Sequence, residues 1–202
     1  MAVPAAGWVV VDHPEITPPS NFHQLRDTTE RAGDWALPSL SRFVFAAVLL
    51  GYFWASALTK FDGVFTASPG AFAQIFPRTF EVAGYDSSKL GLIPHLVVLV
   101  GGWAEFALPL LITLGLLTRL AALGMIGFVV VQSLTDIFGH LADAATVGAW
   151  FDRASDALVL DQRAPWVMIL VILIFKGAGP LSLDALLKRF AFDPPHWTKP
   201  KT

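Results

Sequence analysis

The 202-residue chain contains no cysteine. This absence excludes disulfides, thiol catalysis, and metal or iron–sulfur sites held by cysteine. Charge is also scarce, because 15% of the residues are charged whereas a soluble domain has roughly 25%. The net charge of −2 leaves no basic surplus, so the composition excludes nucleic acid as the main partner. Phosphate-binding glycine loops, metalloprotease motifs and nucleophile elbows are absent too, which leaves hydrolysis and nucleotide chemistry without a recognisable motif.

Hydrophobic residues are what the chain has in excess, at 54%, with a mean hydropathy of +0.59. A helix needs about 20 mainly apolar residues to cross a bilayer. Four segments meet this requirement, near residues 39–59, 93–114, 118–139 and 164–180. None has the polar face that a soluble four-helix bundle would present to water. The sequence therefore predicts an all-α, membrane-embedded four-helix bundle with short interfacial helices.

The polar residues divide the chain into three predicted parts: a polar, extended cytoplasmic arm (1–37), a four-span membrane domain (38–182), and a cytoplasmic amphipathic helix with a tail (183–202). The arm has no apolar core beside a cleavage site, so we expect no cleaved signal peptide. Basic residues are more numerous beside the termini and the short 115–118 connection than in the two long loops. The positive-inside rule therefore places both termini in the cytoplasm.

Ionisable residues inside the bilayer are costly, so each is a candidate for function. Glu105 lies about 15 Å along its helix from the outer end, close to the midplane. We predict that it faces the bundle interior, with neighbours from a set of five residues: Tyr52, Trp54, Ser56, Gln132 and Lys176. Two interpretations stay open. Glu105 either fixes helix register, or it is a catalytic carboxyl that accepts a proton or binds a quinone.

The third predicted span carries Gln132, Asp136 and His140 at intervals of four residues, which places them on one helix face. His95 and His140 both approach the outer rim, where solvated histidines are common but a metal or a quinone carbonyl is a possible partner. We predict no metal site. The cofactor is unknown, with quinone as the candidate. The predicted cofactor-binding residues are His95, Gln132, Asp136, Lys176 and Trp54.

The two long outer loops contain short amphipathic patterns. Phe72, Phe76 and Phe80 recur every four residues, although Pro77 interrupts the helix that they predict. A second pattern lies within 141–158. These segments are expected to lie in the membrane interface, and the alternative is a docking surface for a partner protein.

Three motifs resemble the DoxX family. Residues 105–122, EFAL through GLLTRLAA, resemble the hairpin of that family. Residues 177–184, GAGPLSLD, resemble its closing signature, and residues 56–61, SALTKF, resemble the lysine-containing end of its first span. In the hairpin, Arg119 is expected to meet lipid phosphates or the carbonyl end of the second span. Ser182 is expected to cap a following short helix.

The resemblance implies a four-helix protein of a bacterial or archaeal plasma membrane. DoxX members include a subunit of a thiosulfate:quinone oxidoreductase and components of oxidative-stress complexes. This chain has no thiol on which to carry sulfur, which makes a thiosulfate-oxidising role doubtful. The leading hypothesis is a bacterial inner-membrane subunit of a quinone-linked redox system, and whether it has enzyme activity of its own is left open.

The alternative hypothesis is a non-catalytic membrane anchor or assembly factor that holds other protein subunits. A third, a carrier of small solutes or lipids, requires a water-lined or amphipathic cavity, and neither broken helices nor internal repeats indicate it. The bundle interior distinguishes the first two. A cavity lined by Glu105 and at least one of Gln132, Asp136 or His95 supports the redox hypothesis, whereas tight packing supports the anchor.

Overall fold

The computed structural model describes residues 20–192, and nearly all regular structure in this range is helical. The helices are α1 (Ser20–Phe45), α2 (Gly51–Leu58), α3 (Pro69–Ile75), α4 (Pro77–Val82), α5 (Leu92–Leu114), α6 (Thr118–Leu134), α7 (Ala144–Val147), α8 (Leu160–Lys176) and α9 (Leu183–Phe192). Two π-helical stretches, Ala46–Leu50 and Thr135–Gly139, follow α1 and α6, and a 3-10 turn covers Ser87–Lys89. Two short strands, β1 (Phe61–Gly63) and β2 (Thr66–Ala67), pair antiparallel. The prediction of an all-α fold is confirmed.

Three helical segments are long and apolar enough to cross a membrane: Gln24–Leu58 with 35 residues, Leu92–Leu114 with 23, and Thr118–Gly139 with 22. They match the first three predicted spans. The fourth falls on α8, whose 17 residues extend for about 26 Å. It begins at Leu160, four residues before the predicted start, and ends at Lys176. The molecule is thus a multi-pass membrane protein, and the crossing by α8 stays a prediction.

The chain divides into two compact units, Met1–Gly33 and Asp34–Thr202. In the first unit, the described residues 20–33 are helical and not extended, which corrects the expectation for this part of the arm. Arg26 pairs with Glu30 at 2.8 Å, and the Thr28 hydroxyl donates to the carbonyl four residues before it. The ion pair, at a spacing of four residues, slightly stabilises this part of the helix. The rest of the arm, residues 1–19, and the tail after 192 lie outside the described residues.

The core of the second unit is formed where the second half of the first candidate span, α5, α6 and α8 pack together. Phe53, Met125 and Leu170 are each at most 1% exposed at its centre. Helices α5 and α6 are antiparallel neighbours because only residues 115–117 connect them. Gly115 adopts a left-handed conformation with φ of 70°, and a Cβ there would lie 2.5 Å from the Ser182 Cβ. We call this end of the bundle the hairpin end.

Asp184 completes the start of α6 at the hairpin end. Its carboxylate accepts hydrogen bonds from the backbone N–H groups of Leu117 and Thr118 and from the Thr118 hydroxyl, at 2.9 to 3.1 Å. The cap residue Leu117 has no side-chain oxygen, so Asp184 supplies the capping group from a distant part of the chain. Ser182 accepts from the Ala185 N–H and caps α9 as predicted. The closing motif therefore joins α9 to the hairpin.

The capping role of Asp184 predicts a pH-dependent stability. Burial alone would raise the pKa of this carboxyl, but the hydrogen bonds from Thr118 and Leu117 outweigh it and lower the pKa. The stabilisation is complete above the ordinary Asp pKa of about 3.9 and is lost as the pH falls from there through the lower folded-state pKa. We expect Asp184→Asn to flatten the stability profile below pH 5 and Asp184→Ala to cost about 1 kcal/mol at neutral pH. Thermal unfolding in detergent at pH 3 to 7 measures the stability of each protein. A pH dependence in Asp184→Asn equal to that of the unaltered protein would contradict the capping role.

The end of the bundle opposite the hairpin end carries α3, α4 and the strands β1 and β2 over a second, smaller core. Phe72 and Phe80 are buried there against each other, with ring centroids 5.8 Å apart. Pro77 begins α4 and separates it from α3, as the sequence indicated. The second expected amphipathic segment is helical only over α7, and Phe151 is fully exposed in the following loop.

Candidate ligand-binding cavity

A cavity of about 640 Å³ lies between α5 and α6 in the half of the bundle opposite the hairpin end. Helix α2 forms a third wall, and Gln74 and Ile75 of α3 lie across its outer side. The polar residues that line it are Tyr52, Ser56, Lys60, Gln74, Glu105, Gln132, Thr135, Asp136 and His140. Gly101, Gly124 and Gly127 leave room for it on the two long helices.

Glu105 faces the bundle interior, as predicted, and is 4% exposed. Its partner is Lys60, also 4% exposed, whose Nζ lies 2.9 Å from Glu105 Oε2. Lys60 lies two residues after the end of α2, and its Nζ also donates to the Ser56 Oγ at 2.8 Å. The arrangement neutralises two charges inside the bundle and fixes both at one wall of the cavity.

Tyr52 and Gln132 form a second polar group on the cavity wall. The Gln132 Nε2 donates to the Tyr52 hydroxyl at 3.1 Å, which links α2 to α6. The Gln132 Oε1 is buried and has no hydrogen-bond partner among the described residues. A buried carbonyl oxygen without a partner costs about 1–3 kcal/mol, so this atom is available to a ligand that donates a hydrogen bond.

Asp136 and Arg163 form a second ion pair, in which Arg163 is buried and Asp136 is partly exposed. Asp136 lies in the π-helical stretch that ends the α6 segment, and such stretches often occur at functional sites. Arg163 of α8 is 3% exposed and donates to the Asp136 carboxylate and, at 2.7 Å, to the Ser133 hydroxyl. The pair holds the start of α8 against α6 beside the cavity.

The remaining predicted site residues lie elsewhere. Lys176 ends α8 and pairs with Asp34 at 2.6 Å, so it is not a neighbour of Glu105. Trp54 donates to the Phe106 carbonyl at 3.2 Å and does not line the cavity. His95 contacts the Gly91 carbonyl and the edge of Phe72, also outside the cavity.

His140 does line the cavity, where its Nε2 lies 2.9 Å from the Gln74 carbonyl of α3. Within residues 20–192, no cluster of three or more potential metal ligands occurs. His95 and His140 thus have separate protein partners.

The rim of the cavity is apolar and exposed. Leu96, Val97, Val100 and Val131 line it, and Val100 is 67% exposed. In a membrane-embedded helix, exposed valine and leucine side chains contact the hydrocarbon of the lipid. The cavity is therefore amphipathic, with a hydrocarbon-facing rim and a polar interior that holds the Lys60–Glu105 pair.

Comparison with known proteins identifies the family. The model of the DoxX family matches residues 39–141, which is half of the chain. The chain belongs to the DoxX family. No curated protein and no solved structure matches it. All residues that line the cavity, from Tyr52 to His140, fall within the part that is typical of DoxX proteins.

Two buried charges of this DoxX protein were missing from the predicted site. Lys60 directly follows the first predicted span, in the SALTKF motif, and was not included among the predicted site residues. A signal was available in the sequence. A lone buried carboxylate requires a cation, and Lys60 lies in the motif that precedes the one containing Glu105. Arg163 was assigned to the outer loop since it precedes the apolar run, whereas α8 begins three residues before it.

Proposed function

We propose that this protein is the membrane subunit of a quinone-linked redox system in a bacterial plasma membrane, with both termini in the cytoplasm. The cavity beside Glu105 is its quinone site. The observation that carries the proposal is the amphipathic cavity itself, with a buried ion pair at one wall and a rim that faces lipid. Glu105, Gln132 and Asp136 line it together, which was the condition set for a redox subunit.

The size and polarity of the cavity fit a quinone head group. Small-molecule sites typically have volumes of about 300–1,000 Å³ and apolar walls with a few polar groups. The volume here, about 640 Å³, lies within that range. Because quinones are dissolved in the bilayer, they would reach the site through the apolar rim without crossing water. Val97, Val100 and Val131 would contact the isoprenoid tail outside the head group.

The chain's own contribution to the chemistry is proton exchange and positioning. Reduction of a quinone to a quinol consumes two electrons and two protons. With no cysteine, the chain has no thiol to supply the electrons, so we assign the electron donor to a partner subunit. Glu105, held 2.9 Å from Lys60, is the carboxylate in the cavity that would accept each of the two protons from water and pass it to a quinone oxygen.

Native mass spectrometry of protein gently extracted from its own membrane tests this function. We expect stoichiometric quinone together with a redox partner, and loss of the quinone in Glu105→Ala. A co-purifying protein with no quinone would instead favour the alternative, a non-catalytic anchor or assembly factor, and the redox proposal would be wrong.

Filling the cavity should weaken quinone binding. A Cβ at Gly127 meets nothing within 4 Å, and this residue lines the cavity. We expect Gly127→Leu to weaken binding of a short-chain quinone by at least about tenfold, or 1.4 kcal/mol. Gly51→Leu is the matched control, since a Cβ at Gly51 also meets open space but lies outside the cavity. Equilibrium dialysis measures both variants, and equal weakening by the two would contradict the prediction.

A further inference from the structure

The polar atoms in the cavity that have no hydrogen-bond partner indicate whether it binds the oxidised or the reduced form of a quinone head group. Lys60 is already fully engaged. Its Nζ donates to Ser56 Oγ at 2.8 Å, to Glu105 Oε2 at 2.9 Å, and more weakly to the Ser56 carbonyl at 3.4 Å. An ammonium group has three protons, so Lys60 has no further proton to offer to a ligand carbonyl. The most basic group of the site is therefore not a ligand donor.

The wall formed by Tyr52 and Gln132 offers the complementary groups. Gln132 Oε1 is a buried acceptor without a partner among residues 20–192. The Tyr52 oxygen accepts from Gln132 Nε2, which leaves its own O–H proton to be donated. An acceptor and a donor thus lie on neighbouring side chains. A ligand hydroxyl satisfies both at once, since it donates to Gln132 and accepts from Tyr52, whereas a carbonyl can satisfy Tyr52 alone.

The charged groups beside the cavity do not favour a charged ligand. The two ion pairs beside the cavity, Lys60–Glu105 and Asp136–Arg163, each bring one positive and one negative group. They leave the cavity without a net charge that would draw in an amine or a carboxylate. Together with the lipid-facing rim, this favours a neutral, apolar ring that carries hydroxyl groups.

We propose that the cavity selects the hydroxylated, reduced form of its ligand, so that a quinol binds more tightly than the corresponding quinone. The inference rests on the proposed function and adds the redox state that the site recognises. Gln132 is the residue that determines this selectivity, because its Oε1 stays unsatisfied when a quinone occupies the site. Tighter binding of the reduced form also raises the midpoint potential of the bound couple, by about 30 mV for each tenfold preference.

The test uses duroquinol and duroquinone as a matched pair of probes with the full-length protein in lipid nanodiscs, titrated under anaerobic conditions by calorimetry. We expect duroquinol to bind about tenfold more tightly, which corresponds to one satisfied buried acceptor. Gln132→Leu should reduce this preference to less than about twofold by weakening duroquinol binding alone. Gln162→Leu is the matched control, since Gln162 bonds the Asp156 carbonyl away from the cavity and should keep the preference.

Each outcome separates this inference from the proposed function. Equal binding of the two probes, or tighter binding of duroquinone, would overturn the selectivity while the quinone site stands. Retention of the full preference in Gln132→Leu would also overturn it, because another group would then recognise the hydroxyl. Failure of both probes to bind would instead refute the quinone site itself.

Discussion

Replacing Lys60 with methionine is expected to lower the free energy of unfolding by about 3–5 kcal/mol. The substitution leaves the Glu105 carboxylate 4% exposed, with its only cationic partner in the described structure removed. A buried charge without a partner loses its hydration and gains nothing in return. Titration of the folded protein with sodium dodecyl sulfate in mixed micelles measures the change.

Two further variants make this result specific to the buried pair. Lys60→Met combined with Glu105→Leu should recover most of the lost stability, because apolar residues often replace a buried ion pair at little cost. Lys89→Met is the matched control, since Lys89 pairs with Asp86 at 3.7 Å and both side chains are exposed. An exposed pair contributes about 0–1 kcal/mol. A Lys60→Met protein as stable as Lys89→Met would show that Glu105 does not depend on Lys60.

The double variant also separates the two interpretations of Glu105. If the carboxyl only fixes helix register, a stable Lys60→Met, Glu105→Leu protein still binds duroquinol with unchanged affinity. If the carboxyl contacts the head group, binding is lost although the fold is kept. We expect the loss, because Glu105 lines the cavity as well as pairing with Lys60.

Hydropathy predicted the long helices and the inward direction of Glu105, because both follow from the cost of polar groups in lipid. Spacing along the third predicted span also placed Gln132, Asp136 and His140 on one wall of the cavity. What failed was the prediction of partners between helices. Lys176 was predicted among the neighbours of Glu105, yet α8 ends at Lys176, four residues before the predicted end of its span, so Lys176 lies at the helix end and pairs with Asp34. Distances along one helix do not determine the register between two.

At the hairpin end, too, the sequence did not predict which groups the arginines contact. Arg119 was expected at lipid phosphates or at the carbonyl end of the second span, but its Nη2 donates to the Phe175 carbonyl of α8 at 3.3 Å. Instead, Arg42 donates to the carbonyl end of the second span, α5. Nothing in a single sequence distinguishes an arginine that meets lipid from one that meets a helix end, because both follow an apolar run.

Replacing Arg42 with alanine is expected to destabilise the protein by at least about 3 kcal/mol, since hydrogen bonds to a charged group contribute about 1.5–3 kcal/mol each and are not additive. Its guanidinium donates to the last carbonyls of α5, those of Ile112 and Thr113, at 3.1 and 2.6 Å. It also donates to the carbonyls of Ala178 and Leu181 in the segment between α8 and α9, at 3.0 and 2.5 Å. The variant therefore leaves four carbonyls without this donor, in two segments that are distant in the sequence.

The geometry of the guanidinium is what this site requires, so Arg42→Lys should recover less than half of the loss. An ammonium is a single point of charge and cannot direct protons to four carbonyls on two sides. Arg119→Ala is the matched control, because Arg119 makes one long contact, to Phe175, and its loss should cost less than about 1 kcal/mol. Unfolding in mixed micelles compares the three variants.

Full recovery of stability in Arg42→Lys would mean that charge alone holds the segments. A loss in Arg119→Ala as large as that in Arg42→Ala would mean that any arginine at this end serves equally. Because the Arg42 contacts lie at the end of the bundle opposite the cavity, its variants should keep their preference for duroquinol wherever they remain folded.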